Sequence, residues 1–496
     1  MALGFGTSGV RGLVSELTDR ECALYTRAFV QYVRERGAGA TVSLAGDFRS
    51  STPRILRAVA WAVAREGASV DYCGFIPTPT LAFHAFERRQ ASLMVTGSHI
   101  PDDRNGIKFN LPWGEVLKAD EAELSRRYAQ LKAQVATDES LAGVFGADGG
   151  FWLEAAPALP AVNREAEAAY RRRYLDFFPR LCLAGKRIVL YEHSSVARDL
   201  LGQLLEGLGA KVARLARSDK FIPVDTEAVA NPDQLADWAR THRADALVSA
   251  DGDGDRPLLV DEHGALVRGD VLGILVAAYL RADAVATPVS GNTALEKSGL
   301  FPRVRRTRIG SPYVVEAMQA AVADGSRRVV GYEANGGFLL ASEIASPATG
   351  ARLRPLPTRD AALPILACLH AATQKAQTLS QLVAGLPRRF TQSGLLRPFP
   401  TEQGRALVAK IQAGGVAEAE RLFRGAFGPV QTLDFTDGAR ITFASGDIVH
   451  VRPSGNAPEF RVYTEAASPE AAAANNAKAL AILRRLATGF SARQDD

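Results

Sequence analysis

The chain has 496 residues, 47% hydrophobic and 23% charged, which excludes a disordered polymer and is too long for one hydrophobic core; about three or four domains of roughly 100–200 residues are expected. Its net charge of +5 raises the question of nucleic acid, but the basic runs Arg171-Arg172-Arg173 and Arg305-Arg306-Thr307-Arg308 are short and lack interleaved aromatic residues. They read as solvated faces, and small anionic substrates fit the charge at least as well.

Cys22, Cys73, Cys182 and Cys368 are scattered without a CxxC pair, as in a reducing cytoplasm. The N-terminus MALGFGTSGVRG has no signal-peptide core, and the apolar run 271–280 is too short to span a bilayer. A cytoplasmic protein with neither a membrane nor a nucleic-acid partner is expected.

In chain order, a β-branched strand over 41–47 leads through Arg49-Ser-Ser into a helix over 53–66, where Pro53 suits the first turn, and a strand returns over 69–72. An Ala/Pro/Gly-rich linker follows over 149–163. The theme repeats as a strand over 186–191, the loop His193-Ser-Ser195, a helix over 197–208 stopped by Gly209, and a strand from Lys211. It recurs more faintly as a strand over 284–288, the loop Ser290-Gly-Asn-Thr293, a short helix, a basic strand and a helix over 314–323. Beyond Arg388 come strand pairs over 431–435, 439–444 and 448–451, then an alanine-rich helix. The expected fold class is α/β: three related α/β domains, over 1–155, 160–265 and 266–385, and a smaller α+β domain over 388–496.

The densest chemical signal is Asp251-Gly-Asp-Gly-Asp255-Arg256, directly after a strand over 246–250. In an extended chain residues i, i+2 and i+4 project to one side, so three carboxylates can converge on one cation. Oxygen-only ligands favour a hard ion such as Mg²⁺, and without a metal the three charges repel. A calcium EF-hand places Glu at the twelfth position, where Glu262 stands, but it also needs Gly at the sixth, where this chain has Arg256 followed by Pro257. The flanks read as strands rather than helices. A solvated acidic turn is the remaining alternative.

The second signal is Val95-Thr-Gly-Ser98-His-Ile-Pro101, a serine in a glycine-flanked loop after a strand. Such a serine needs activation to act as a nucleophile. His99 is a candidate base, but there is no triad and no GxSxG elbow, so a hydrolase is unsupported. Arg452-Pro-Ser454-Gly455-Asn456 offers a guanidinium, a hydroxyl and backbone N–H groups to a phosphate, and Gly6-Thr-Ser-Gly-Val-Arg11-Gly12 has the same character. Each of these loops, taken alone, is also an ordinary turn.

Five motifs together resemble those of the α-D-phosphohexomutases: FGTSGVRG at 5–12, TGSHIPDDRNGIKF at 96–109, DGDGDR at 251–256, GYEANGG at 331–337 and RPSGNAPEFR at 452–461. They occur in family order and cover essentially the whole chain. The resemblance implies four domains around a central cleft, phosphorylation of Ser98, and Mg²⁺ held by Asp251, Asp253, Asp255 and a phosphoserine oxygen. It places Arg11 and Lys108 near the transferred phosphoryl group, with Lys108 a candidate for acid–base work, and Arg256 beside the metal loop. It assigns sugar recognition to Glu333 and Asn335 and the grip on the distal phosphate to Arg452, Ser454, Gly455 and Asn456, together with Arg461.

Two motifs depart from the family pattern. The sugar loop, often Gly-Glu-x-Ser-Gly-His, here reads Glu333-Ala-Asn335-Gly-Gly337, and a loop that often contains Thr-Gly-His reads Ile309-Gly310-Ser311-Pro312. The missing histidines leave the general acid or base unassigned. The reaction implied is interconversion of a hexose 6-phosphate and a hexose 1-phosphate through hexose 1,6-bisphosphate, which also serves as activator. Mannose phosphate is the first choice of substrate, glucose phosphate or dual specificity the second and glucosamine phosphate the third, in a monomer or homodimer. A silent sugar-phosphate-binding homologue and a metal-dependent phosphatase are the rivals from other classes.

Overall fold

The structure is a computed structural model that describes residues 3–6, 9–135, 137–138, 141, 143–152, 158–346, 348–454 and 458–491. The described residues divide into two compact units, one within 2–285 and 310–383, the other within 286–309 and 384–496.

The first sheet of the larger unit grows around the strand Thr41–Gly46, which lies parallel to Ser69–Gly74 on one side and Ala91–Val95 on the other. All but one of its residues are buried, as expected of a parallel strand covered on both faces. The helix Thr52–Arg65 takes proline in its first turn and buries Ile55, Leu56, Val59 and Val63 along one stripe. Beyond Ala91–Val95 the sheet turns antiparallel: Arg104–Leu111 pairs with it in the register Met94 to Lys108, and Gly9–Leu13 pairs next with Gly9 opposite Lys108 and Arg11 opposite Gly106. Alternation along these strands places Lys108 and Arg11 on one face of the strands that flank the loop after Val95.

In the second sheet Arg187–His193 runs parallel to Lys211–Arg217 and to Ala246–Ala250, and Pro257–Asp261 folds back antiparallel with Ala250 opposite Pro257. Residues 251–256 are therefore a hairpin connection. The strands Val329–Tyr332, Phe338–Leu340 and Leu356–Asp360 are antiparallel neighbours, with Tyr332 opposite Phe338 and Phe338 opposite Asp360, so residues 333–337 are a second hairpin connection. The helix Glu165–Phe177 is tied to the last of these strands: Tyr170 donates to Asp360 Oδ1 at 2.5 Å and Tyr174 donates to Oδ2. That anchor fixes Arg359, one residue earlier.

In the smaller unit an antiparallel sheet runs in the order Phe390–Leu396, Phe460–Ala466, Ile448–Pro453, Ala439–Phe443, Val430–Asp434. The helices Thr401–Phe427 and Pro469–Ser491 complete its core, where Phe423, Ile441, Val451 and Leu483 are buried. Residues 286–309 join this unit: Asn292 Nδ2 donates to the Arg389 carbonyl at 2.8 Å, and the Thr293 N–H to Glu465 Oε2 at 3.0 Å.

The expected elements are present, with ends shifted by a turn or less, as in Arg187–His193, Arg198–Gly207 and Ser311–Ala323. The four cysteines are free thiols, and no described helix is long and apolar enough to cross a membrane. One expectation is corrected. Arg171 and Arg172 face solvent, but Arg173 is only 8% exposed, because its position on the helix Glu165–Phe177 turns it toward the ring of Phe83.

Candidate active site

The strand Ala91–Val95 delivers Ser98 into a fully buried position with φ of +56°. A left-handed backbone at a serine is strained and persists only where its surroundings hold it, which is common at functional sites. The Ser98 N–H donates to Thr96 Oγ1 at 2.7 Å, and Thr96 Oγ1 donates to Asp47 Oδ2 at 2.6 Å. Arg49, 1% exposed, supplies the rest. Its guanidinium donates to the carbonyls of Ser98, Ile100, Pro101 and Arg104 at 2.9, 2.6, 2.7 and 3.0 Å, and pairs with Asp47 at 3.2 Å. The ring of Phe221 covers it, 4.0 Å from the guanidinium carbon. One side chain thus fastens the whole loop. Arg49 was legible only as part of a polar loop; its role depends on carbonyls about 50 residues further along the chain.

The carboxylates Asp251, Asp253 and Asp255 come together, with one oxygen from each lying within 4.8 Å of the others. They converge through a turn rather than through extended alternation. Asp251 Oδ1 accepts the N–H groups of Asp255 and Arg256, each at 3.1 Å, and Gly254 sits at φ of +71°, a conformation glycine adopts without cost. Gly252 is required for a different reason. A Cβ there would lie 2.7 Å from the Ser98 carbonyl oxygen, so the turn and the serine loop approach each other at backbone distance. The turn is also fully buried rather than spread on a surface.

Ser98 Oγ donates to Asp251 Oδ2 at 2.6 Å. Lys108 Nζ lies 2.5 Å from Asp253 Oδ2 and 2.6 Å from Asp255 Oδ2, and Arg359 Nε donates to Asp255 Oδ2 at 3.0 Å. The remaining oxygens, Asp253 Oδ1 and Asp255 Oδ1, are buried without a hydrogen-bond partner. Buried acceptors left open beside a serine hydroxyl form an all-oxygen donor set that fits a hard divalent cation.

The electrostatics follow from crowding. Burial, then the neighbouring charges of Asp253 and Asp255, push the Asp251 carboxyl well up. Burial acts in the same direction on Asp255, but Arg359, Lys108 and Arg256 outweigh it and hold that carboxyl well below the usual range. Burial, followed by the charges of Arg256 and Arg359, lowers the Arg11 guanidinium to about 10, which leaves it cationic at neutral pH.

His99 joins the site with its Nδ1 already engaged. That nitrogen accepts from Arg256 Nη1 at 2.6 Å and lies 3.4 Å from Ser98 Oγ. Burial first, then Arg256 and Arg11, push its imidazole down to about 2. It is neutral at physiological pH and has no proton to give from Nδ1.

Glu333 meets Arg359 at 3.1 Å, and Arg359 also donates to Ser311 Oγ at 3.0 Å; Ser311 in turn donates to Glu115 Oε2 at 2.6 Å. Neither Arg359 nor Glu115 falls in any of the five motifs, so only the tertiary structure could reveal them. Asn335 closes its own loop: its Oδ1 accepts from the Gly337 N–H at 2.9 Å. The acceptor half of its amide is therefore committed, and the NH₂ half is left to offer a ligand. In the smaller unit Arg452 stands opposite Arg461 across adjacent strands and lies 3.5 Å from Asp437 Oδ2, with its Nε buried and without a partner, while Ser454 is buried. Gly455 and Asn456, like Thr7 and Ser8 of the N-terminal motif, lie outside the described residues.

A serine hydroxyl against three buried aspartates that could hold a cation, ringed by lysine and arginine, is the equipment of a metal-assisted phosphoryl-transfer enzyme. The chain matches the phosphoglucomutase/phosphomannomutase family in all four of its domains: α/β/α domain I over residues 2–135, domain II over 173–264, domain III over 268–390 and the C-terminal domain over 401–482. It is 46% identical to a phosphomannomutase of Sinorhizobium fredii over 97% of this chain and 98% of that one, and 42% identical to a phosphomannomutase of Salmonella muenchen over 94% and 93%. Among solved structures, a phosphoglucomutase/phosphomannomutase family protein of Burkholderia thailandensis shares its fold with a TM-score of 0.72 at 20% identity, covering 97% of this chain and 95% of that one. The chain belongs to the phosphoglucomutase/phosphomannomutase family. It is a phosphohexomutase, an enzyme of the isomerase class.

Replacing Arg49 with Ala is expected to cost about 3–5 kcal/mol of stability, since it strands the buried Asp47 charge, and to abolish turnover by releasing the Ser98 loop. Arg49→Lys keeps the charge but not the fork that spans four carbonyls. It should recover much of the stability and little of the activity, as read from denaturant midpoints alongside kcat.

Proposed function

We propose that this chain interconverts mannose 6-phosphate and α-mannose 1-phosphate, with Ser98 carrying the phosphoryl group and hexose 1,6-bisphosphate as the intermediate. The observation that carries this reading is the contact of Ser98 Oγ with Asp251 at 2.6 Å beside the two open oxygens of Asp253 and Asp255. In the first half-reaction the Ser98 Oγ–P bond breaks as a sugar hydroxyl oxygen takes the phosphoryl group, the hydroxyl proton ending on Ser98 Oγ and the product being the bisphosphate; in the second the O–P bond at the other end of the sugar breaks, its phosphoryl group returns to Ser98 Oγ and the serine proton passes to the freed sugar oxygen. The strained backbone at Ser98 and the Arg49 clamp hold Oγ in one position for both halves, so little ordering is left to do at the moment of transfer. Lys108 and Arg11 place positive charge beside the transferred group.

Mg²⁺ is the cofactor this donor set fits, held by Asp251, Asp253, Asp255 and an oxygen of phosphoserine 98, and when bound it draws charge from the phosphoryl group. Glu333, positioned by Arg359, accepts from a sugar hydroxyl, and the Asn335 NH₂ donates. The family motif assigns the second phosphate to Arg452, Ser454, Gly455, Asn456 and Arg461. Mannose as the sugar is supported by the full-length relatives that carry that name, at 42 to 46% identity; relatives named phosphoglucosamine mutase match at 27 to 32%.

Incubation with hexose 1,6-bisphosphate should add one phosphate, located on Ser98 by peptide mass spectrometry, and Ser98→Ala should lose nearly all turnover. Stable labelling of a different residue would overturn the mechanism.

Thorough chelation should stop turnover, with activity restored by Mg²⁺, while leaving the melting temperature nearly unchanged, because Lys108 and Arg359 already offset the buried carboxylates. Full activity in the chelated enzyme is the contrary result.

Mannose and glucose differ only at C2, and a substrate that binds in two orientations cannot be read at C2 by one fixed group in both. Mannose phosphate is therefore expected to be preferred by a factor of roughly 10 or less, about 1.4 kcal/mol. A coupled assay of mannose, glucose and glucosamine 1-phosphates measures this, and outright refusal of glucose phosphate contradicts it.

A further inference from the structure

The helix Glu165–Phe177, the C-terminal end of the helix Thr78–Glu87 and the strand Arg352–Leu353 border an open pocket of about 250 Å³. Arg88, Arg172, Arg173, Arg352 and Arg354 line it, with Phe83 and the single carboxylate of Glu87. It shares no residue with the site around Ser98. Five guanidinium groups around one small space repel each other, and the acids nearby offset only part of that charge. Glu87 pairs with Arg354, while Glu165 and Glu343, which pair with Arg172 and Arg352 at 2.5 Å each, do not line the pocket.

Arg173 is the decisive member. It is 92% shielded from solvent (8% exposed), yet none of its three guanidinium nitrogens has a hydrogen-bond partner. Its guanidinium carbon lies 4.8 Å from the centre of the Phe83 ring and 5.5 Å from that of Tyr174. The Tyr174 hydroxyl and the buried carboxylate of Asp360 feel its charge, but both Asp360 oxygens are already taken by Tyr170 and Tyr174. A buried guanidinium with its donors open is uncommon in a native protein and calls for a partner of opposite charge.

We propose that this pocket is a second anion site, built for a small phosphate-bearing ligand and separate from the catalytic centre. Arginine forks match phosphate oxygens in bidentate geometry. The volume lies just under the usual range of about 300–1,000 Å³ for small-molecule pockets, which suits a diphosphate group better than a whole nucleotide sugar. Free phosphate species and the diphosphate end of a larger metabolite share this chemistry.

The test is calorimetric titration of the full chain with pyrophosphate, without added metal, and in parallel with inorganic phosphate and a nucleoside diphosphate to learn which source the site prefers. The double variant Arg352→Ser, Arg354→Ser removes two solvent-exposed arginines and should fold. Wild type is expected to bind pyrophosphate here with Kd below about 1 mM, as one equivalent beyond that held by the phosphate loop of Arg452 and Ser454, and the double variant to bind that equivalent at least about tenfold more weakly, with kcat/KM of the mutase reaction unchanged. Arg173→Lys, which keeps the charge but loses the fork, should weaken binding to a similar extent; if it fails to fold, the exposed pair decides alone. Pyrophosphate affinity that is equal in wild type and the double variant, or no binding at millimolar concentration, overturns the proposal.

Discussion

Three carboxylates of one turn, all withdrawn from water, set the terms for everything around them. Isolated, such a group would be driven to take up protons or to open the fold. Here Lys108 bridges Asp253 and Asp255, and Arg359 reaches Asp255 from a different sheet, so the charges are held in check by cations that arrive from distant parts of the chain. Those cations engage one oxygen each of Asp253 and Asp255 and leave the other open. The residue is a site that is neutralised enough to fold and incomplete enough to bind.

The same economy governs the serine. A hydroxyl proposed to receive and release a phosphoryl group cannot wander between the two events, and the backbone that carries it is in a conformation it would leave if released. Arg49 prevents this by taking four carbonyls at once, and Asp47, which pairs with it, also organises Thr96. Loop, clamp and counter-charge form one buried unit, in which each member is satisfied only when the others are present.

Much of this was legible in the sequence. The β-branched runs and their glycine stops marked the strands and helices, because local composition determines these, and the resemblance of five short motifs to a known family pointed to the serine and the aspartates. Arg49, Arg359 and Glu115 were not legible, since each owes its role to partners on other elements that only the folded chain brings near. Alternation in an extended strand was also the wrong reason for the convergence of Asp251, Asp253 and Asp255. A turn capped by the Asp251 side chain does that work, and a glycine-punctuated run permits either geometry. For Arg173 the local pattern of three arginines pointed to solvent, whereas helix phase buried the third.

Arg359 contacts both Asp255 of the cation turn and Glu333 of the sugar loop. A guanidinium shared between two carboxylates cannot serve one without affecting the other. With a sugar at Glu333 and a cation at Asp255, as proposed, binding of either would shift the charge felt by the other, by equal amounts of free energy, because linkage between two binding events is reciprocal. On that proposal, evolution on the 333–337 loop is not free: a change there that alters how Glu333 holds Arg359 would retune metal affinity as well as substrate choice.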